Sequence, residues 1–221
     1  MAQRKTREAP EVVRERVELA AIELFAARGA DGTSVGQIAG AVNMSTQAVL
    51  YHYGTKAALQ DAVTVRILDI TAGWLARFAT PDNLEVSLDG LTEVLLGFVR
   101  DNPWVPTAIL RELLRAPEVA QDRFQEATIG WRSTITEAMH QGQELGVIRG
   151  DLDARNWFDR VALMLLGSLS FPHRKHPLPP DSVEAVALRA ELREAVRIAL
   201  TSAFVDPTPW LEGRGFESLT D

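Results

Sequence analysis

Cysteine is absent from the 221 residues. That excludes disulfides, thiolate nucleophiles and cysteine-based zinc sites, and it suits a reducing cytoplasm. Long apolar runs are missing too. The most apolar stretch, Val161 to Phe171, is far shorter than the roughly 20 residues that cross a bilayer. The first residues, Met1 to Arg16, are rich in charge and hold no apolar core, so they do not read as a signal peptide. Period-2 alternation is also missing, which argues against strands. No Gly-rich phosphate loop, no His-Glu-x-x-His and no serine triad arrangement can be picked out, so an enzyme is disfavoured. No cofactor is expected. His173 and His176 flank Arg174 and Lys175 in a Pro-rich loop, with only Asp181 near as a carboxylate, so no metal site is expected there. The expected class is a soluble, cytoplasmic, non-enzymatic protein.

Basic charge is in short supply. The net charge of −7 and pI of about 5.2 argue, taken whole, against a nucleic-acid partner, whose phosphates need Lys and Arg. The distribution reverses that. Residues 1–60 hold seven Lys or Arg and six acids, a balance of +1, and the rest of the chain carries −8. Between Gly32 and Gln60 there is no Asp or Glu at all. At the chain's average frequency, 29 such positions would hold about four. An acid-free surface is what an approach to phosphates requires. Both tyrosines of the chain, Tyr51 and Tyr53, lie in this stretch. A tyrosine hydroxyl can donate to a phosphate.

Apolar spacing is helical nearly everywhere, so the fold class reads as all-α. A first helix over about Glu11–Arg28 follows Pro10 and ends at Gly29. Ser34 and Gln37 form a capping-box pattern for a second helix. Asn43 suits a left-handed turn. Ser45 caps a third helix, Thr46 to Tyr53, and Thr55 a fourth, from Lys56 to about Phe78. Longer helices are expected near 84–100, 103–115, 117–145, 154–171 and 182–204. Domain limits are read as 1–60 for a DNA-binding head and 61–205 for a helical body. Residues 206–221 form a loosely ordered tail.

The short helix, tight turn and second short helix of Ser34 to Lys56 have the rhythm of a helix-turn-helix. Ala39 is small where the two helices cross. The second helix offers Thr46 and Gln47 to a major groove. Gln can pair with adenine in bidentate fashion, and Thr can meet a thymine methyl. Helix starts at Ser34, Ser45 and Thr55 add backbone donors for phosphates.

The pattern Leu24-Phe25, Gly29, Thr33-Ser34-Val35, Ile38-Ala39, Ser45, Leu50-Tyr51-His52-Tyr53 and Lys56 to Leu59 resembles the DNA-binding domain of the TetR repressor family. The resemblance covers about 45 residues, and Gly146 to Asp153 resembles a turn that precedes that family's dimerisation helices. Asn43 stands for the family's usual Gly, Tyr53 for its usual Phe, and the interval from Ser45 to Tyr51 is one residue longer than the commonest spacing. The resemblance implies that Tyr51 and Lys56 anchor phosphates and that Thr46 and Gln47 lie at the groove. The candidate DNA-binding set is Thr33, Ser34, Ser45, Thr46, Gln47, Tyr51, His52 and Lys56.

The body holds all five tryptophans. Val161 to Leu166 are apolar all round, so that helix needs cover on both sides. A second subunit is the simplest second cover. The resemblance implies a four-helix dimer interface from the last two long helices. It also implies a pocket between the long helices, for which Trp74, Phe78, Trp104, Leu110, Phe124, Trp131 and Phe158 are the wall candidates. Such a lining would favour an apolar or aromatic ligand. The expected function is therefore a one-component regulator, a repressor that binds an inverted-repeat operator as a homodimer and is released by a small, mostly apolar effector. The alternative is an all-α binding or scaffold protein whose helix-turn-helix does not engage DNA. The acid-free stretch favours the first.

Overall fold

The computed structural model describes residues 9–78, 87–115, 117–170, 179 and 181–213. Ten helices run through them: α1 (Pro10–Arg28), α2 (Val35–Ala41), α3 (Thr46–Tyr53), α4 (Lys56–Phe78), α5 (Leu88–Asp101), α6 (Val105–Arg115), α7 (Pro117–Glu144), α8 (Ala154–Leu169), α9 (Val183–Ala203) and α10 (Thr208–Leu211). No strand occurs among the described residues, and the fold is all-α. The chain divides into two compact units, Met1–Ile70 and Thr71–Asp221.

In the first unit, α1, α2 and α3 pack on one another. Their shared core is Val17, Ala21, Ile22 and Phe25 of α1, Ile38 and Ala39 of α2, and Val49 of α3, with Leu59, Val63 and Ile67 of α4 also buried. Each fully buried aliphatic side chain here stabilises the fold by about 1.5–3 kcal/mol relative to exposure. The helix starts are made as the sequence reads them. Ser34 accepts from the Gln37 amide while the Gln37 side chain returns to the Ser34 amide. Ser45 Oγ accepts from the Ala48 amide at 3.1 Å, and Thr55 Oγ1 from the Ala58 amide at 3.1 Å. Asn43 turns the chain with φ of 55°, the left-handed region that Asn tolerates. The Met44 amide then donates to the Ala39 carbonyl at 2.8 Å, closing the turn.

In the second unit, α5 and α8 both pack on α9. Leu88, Val196, Leu200 and Trp210 form one buried cluster, with Leu95, Leu165 and Phe204 against it. A second gathers Met139, Ile148 and Ala154 beside Trp157 and Phe204. The link between α7 and α8 is fixed by backbone pairing as well as by the buried Ile148. The Arg149 amide donates to the Ala203 carbonyl and the Val205 amide to the Val147 carbonyl. Gln143 Nε2 donates to the carbonyls of Arg149 and Leu152. Asp153 then caps α8 through the Asn156 amide at 2.9 Å. That hydrogen bond holds the Asp153 carboxyl below its ordinary range. A lowered native pKa means the cap is at full strength above the unfolded pKa and fades as pH falls through the folded one. Acid unfolding of Asp153→Asn followed by circular dichroism is expected to lose that increment of pH dependence.

Two expectations change. Residues 206–213 do not behave as a loose tail. They form α10, and Trp210 is 2% exposed with its ring 3.9 Å from that of Phe204. The apolar area of the indole outweighs the local Pro and Gly content. Residues 214–221 lie outside the described residues. The last two long helices are slightly shorter than read, ending at Leu169 and Ala203. The Pro-rich loop over Pro172–Leu178, with His173 and His176, lies outside the described residues. Among the described residues no group of three or more His, Asp or Glu could hold a metal ion, and no helix is long and apolar enough to cross a membrane.

Candidate nucleic-acid interface

The surface of the first unit is organised by α3. Its two turns bury Val49 and Tyr53 and leave Thr46, Gln47 and Tyr51 exposed. Tyr51 is 82% exposed. An apolar-bodied side chain held that far into water, on an acid-free helix, has a hydroxyl ready for a partner outside the chain. His52 meets Tyr51 edge-on with ring centroids 5.6 Å apart. Ser34 and Ser45 are exposed at the starts of α2 and α3, with their hydroxyls engaged as caps. Lys56 is half-buried at the start of α4, with Nζ 3.5 Å from the Asp31 carbonyl oxygen. The structure thus brings seven of the eight candidates to the surface around three helix starts.

Thr33 is the correction. It is 1% exposed, and its hydroxyl donates to the Gly29 carbonyl at 2.8 Å. Its side chain closes the end of α1 rather than facing outward. A buried hydroxyl must find an acceptor, and the unpaired carbonyls at a helix end are the nearest supply.

Tyr53 also departs from expectation. Its hydroxyl lies 3.0 Å from the Arg14 carbonyl oxygen and 3.1 Å from Glu18 Oε1. Burial first, and the Glu18 carboxylate second, push its pKa up from the ordinary tyrosine value. The hydroxyl therefore stays protonated and donates inside the protein, not to a phosphate. The signal that separates the tyrosines was in the spacing: Tyr53 follows Val49 by four residues and so shares its buried face, whereas Tyr51 does not.

Residues 19–63 match the family model described as bacterial regulatory proteins, tetR family. The N-terminal domain belongs to the TetR family. The matched stretch runs from α1 into α4 and contains the whole exposed set just described. The fold of the chain is also that of TetR-family regulators. A TetR-family transcription regulator of Shewanella sp. PV-4 superposes with a TM-score of 0.64 at 18% identity, over 90% of this chain and 100% of that one. The ketosteroid transcriptional regulator KstR2 of Mycobacterium tuberculosis gives 0.63 at 18% identity, over 88% and 96%. A TetR regulator of Haloarcula marismortui gives 0.60 at 24% identity, over 87% and 97%. At these identities the likeness is one of fold. No curated protein matches the chain in sequence. The family domain and the regulator fold support a DNA-binding transcriptional regulator.

The candidate ligand walls are less gathered. Trp74 is 7% exposed and packs its ring 4.6 Å from that of Phe98. Phe158 is 8% exposed with the Arg132 guanidinium 5.4 Å from its ring centroid, and Arg132 also pairs with Asp159 at 2.7 Å. Trp104 and Leu110 are half-buried. The side chains of Phe78, Phe124 and Trp131 lie outside the described residues.

One test of this surface arises directly. Ser45→Ala removes the cap that starts the exposed helix. A stability loss of about 1 kcal/mol in urea unfolding is expected. No loss would mean that the hydroxyl does not hold the helix start.

Proposed function

We propose that the protein is a homodimeric repressor that binds an inverted-repeat operator and is released by a small, mostly apolar effector. The observation that carries the DNA half of this reading is the exposed face of α3. Thr46, Gln47 and Tyr51 point outward from a stretch without acids, inside the TetR-family match. Gln47 takes the base-reading role, by a bidentate hydrogen bond to adenine. Tyr51 and Lys56 take phosphates, and the amides at the starts of α2, α3 and α4 assist them.

The dimer half is supported by the outward stripes of α8 and α9. The core side of α9 carries Ala185, Leu188, Leu192, Ala195 and Ala199, all buried. Its opposite side carries Val183, Ala187, Ala190 and Ile198, all exposed and interrupted by Glu194, with Val186 at its edge. On α8, Leu163 is 54% exposed beside the exposed Gly167. Small residues allow close helix approach, and the apolar ones repay burial. A two-fold dimer reads two half-sites, which one short helix cannot do. For release, the effector must prefer the state that binds DNA poorly, and DNA must then weaken effector binding by the same factor.

The experiment is a footprint on the upstream region of the protein's own gene, repeated with two variants. Gln47→Ala is expected to change base preference at one position in each half-site, at a cost of about 1–3 kcal/mol against the preferred base. Lys56→Ala is expected to weaken all sequences alike and to flatten the salt dependence. Uniform loss in both variants would remove Gln47 from the base-reading role.

A further inference from the structure

The ring of Tyr53 is needed to fill the space between α1 and α3, but its hydroxyl is not. A phenylalanine would occupy nearly the same volume. The oxygen is nonetheless held by two acceptors of α1. It has one proton to give, shared between the Arg14 carbonyl at 3.0 Å and Glu18 Oε1 at 3.1 Å. The Arg14 guanidinium carbon stands 5.0 Å from the centre of the ring, within cation–π range. Arg14 and Glu18 are four residues apart on α1 and so lie on one face, a turn apart. The same turn carries Glu15, whose carboxylate pairs with Arg66 of α4. The part of α1 that holds Tyr53 is therefore itself tied to α4, within the unit Met1–Ile70.

From this geometry we infer that Tyr53 is a positioning residue for the DNA-reading helix. Its hydroxyl sets the rotation and tilt of α3 against α1, and thereby where Thr46 and Gln47 stand. The physical reason is the shortness of α3, which has eight residues. Its other holds on the unit are apolar packing through Val49 and its neighbours and the tight turn to α2 closed by the Met44 amide. Apolar attraction is non-directional, so a two-turn helix can shift on it at little cost. A hydrogen bond to a charged acceptor is directional and about twice as strong as a neutral one. A bidentate contact from Gln to a base edge demands that kind of placement. The inference rests on the DNA reading above. It adds that one tyrosine meets DNA and the other aims the helix that does.

The test uses the full chain and two duplexes: one selected by the wild-type protein from a random pool, and its scrambled counterpart. In Tyr53→Phe, affinity for the selected duplex is expected to fall roughly three- to tenfold. Affinity for the scrambled duplex should stay within about twofold, because phosphate contacts tolerate a small shift of the helix. Glu18→Gln keeps an acceptor oxygen and is expected to retain most of the discrimination. Glu18→Ala leaves the Arg14 carbonyl as acceptor and should fall between the wild type and Tyr53→Phe, and the double variant should be no worse than Tyr53→Phe alone. A merely structural tyrosine would instead lower both affinities in proportion to the folded fraction. An unchanged ratio, or equal loss on both duplexes, overturns the inference. Hydrogen exchange in the free protein reads the grip without DNA. Faster exchange at the amides of Val49 to Gly54 in Tyr53→Phe is expected, and unchanged exchange overturns the inference. If the wild-type protein selects no duplex, the DNA reading fails by itself, and the exchange result still decides the grip.

Discussion

Leu163→Glu and Val186→Glu together are expected to make the protein a monomer in sedimentation. They should also cut its affinity for an inverted-repeat duplex by about a hundredfold or more. Both side chains are exposed, at 54% and 60%, so the isolated subunit should lose little, within about 0.5 kcal/mol each. In a dimer the cost is different. Each two-fold interface would take four new carboxylates out of water without partners, and unpaired charges cannot be desolvated cheaply. Loss of the dimer removes the effective concentration that lets the second head bind once the first is down. The loss should therefore appear on paired half-sites and not on a single half-site. A double variant that stays dimeric would place the interface elsewhere.

Leu192→Ala is expected to have the largest effect on stability. Leu192 is 0% exposed, at the middle of the buried stripe of α9. Truncating a leucine in such a place costs about 2–5 kcal/mol, part transfer and part cavity. For a unit of this size the thermal midpoint should fall by roughly 10 °C. α9 also carries the outward stripe, so the variant should dimerise less well when warmed. A shift of only about 2 °C would mean that this part of α9 is less tightly packed than it stands here.

Legibility from sequence followed the range of the interactions. The caps at Ser34 and Ser45, the left-handed Asn43 and the helix breaks at Gly29 and Gly54 were all readable, because each depends on neighbours within four residues. On α3, periodicity places Gln47 and Tyr51 away from Val49, whereas Thr46, three residues before Val49, is exposed as the first residue of the helix. Tyr53 and Trp210 were misplaced because what decides them lies further off, and Thr33 because its acceptor, though only four residues back, is presented only once the end of α1 is formed. Thr33 answers to the Gly29 carbonyl, Tyr53 to Arg14 and Glu18, and Trp210 to Phe204 and the α5–α9 cluster. Composition showed an acid-free patch but could not say which of its polar groups turn inward. In the body, the two faces of α9 were legible as one small-residue helix. Separating core side from outer side required knowing where α5 and α8 lie.

The whole-chain charge is the number most at odds with DNA binding, and it leads to the most direct test. With a balance of +1 in residues 1–60, non-specific attraction should be weak, and affinity must come from two correctly spaced heads. The measurement is a titration of the full chain against a duplex selected from a random pool, at about 50 and 200 mM salt. The predicted result is two subunits per inverted repeat, with an affinity that falls at least about tenfold over that range. An affinity that does not change with salt, or no binding to any duplex at either salt, would contradict the account.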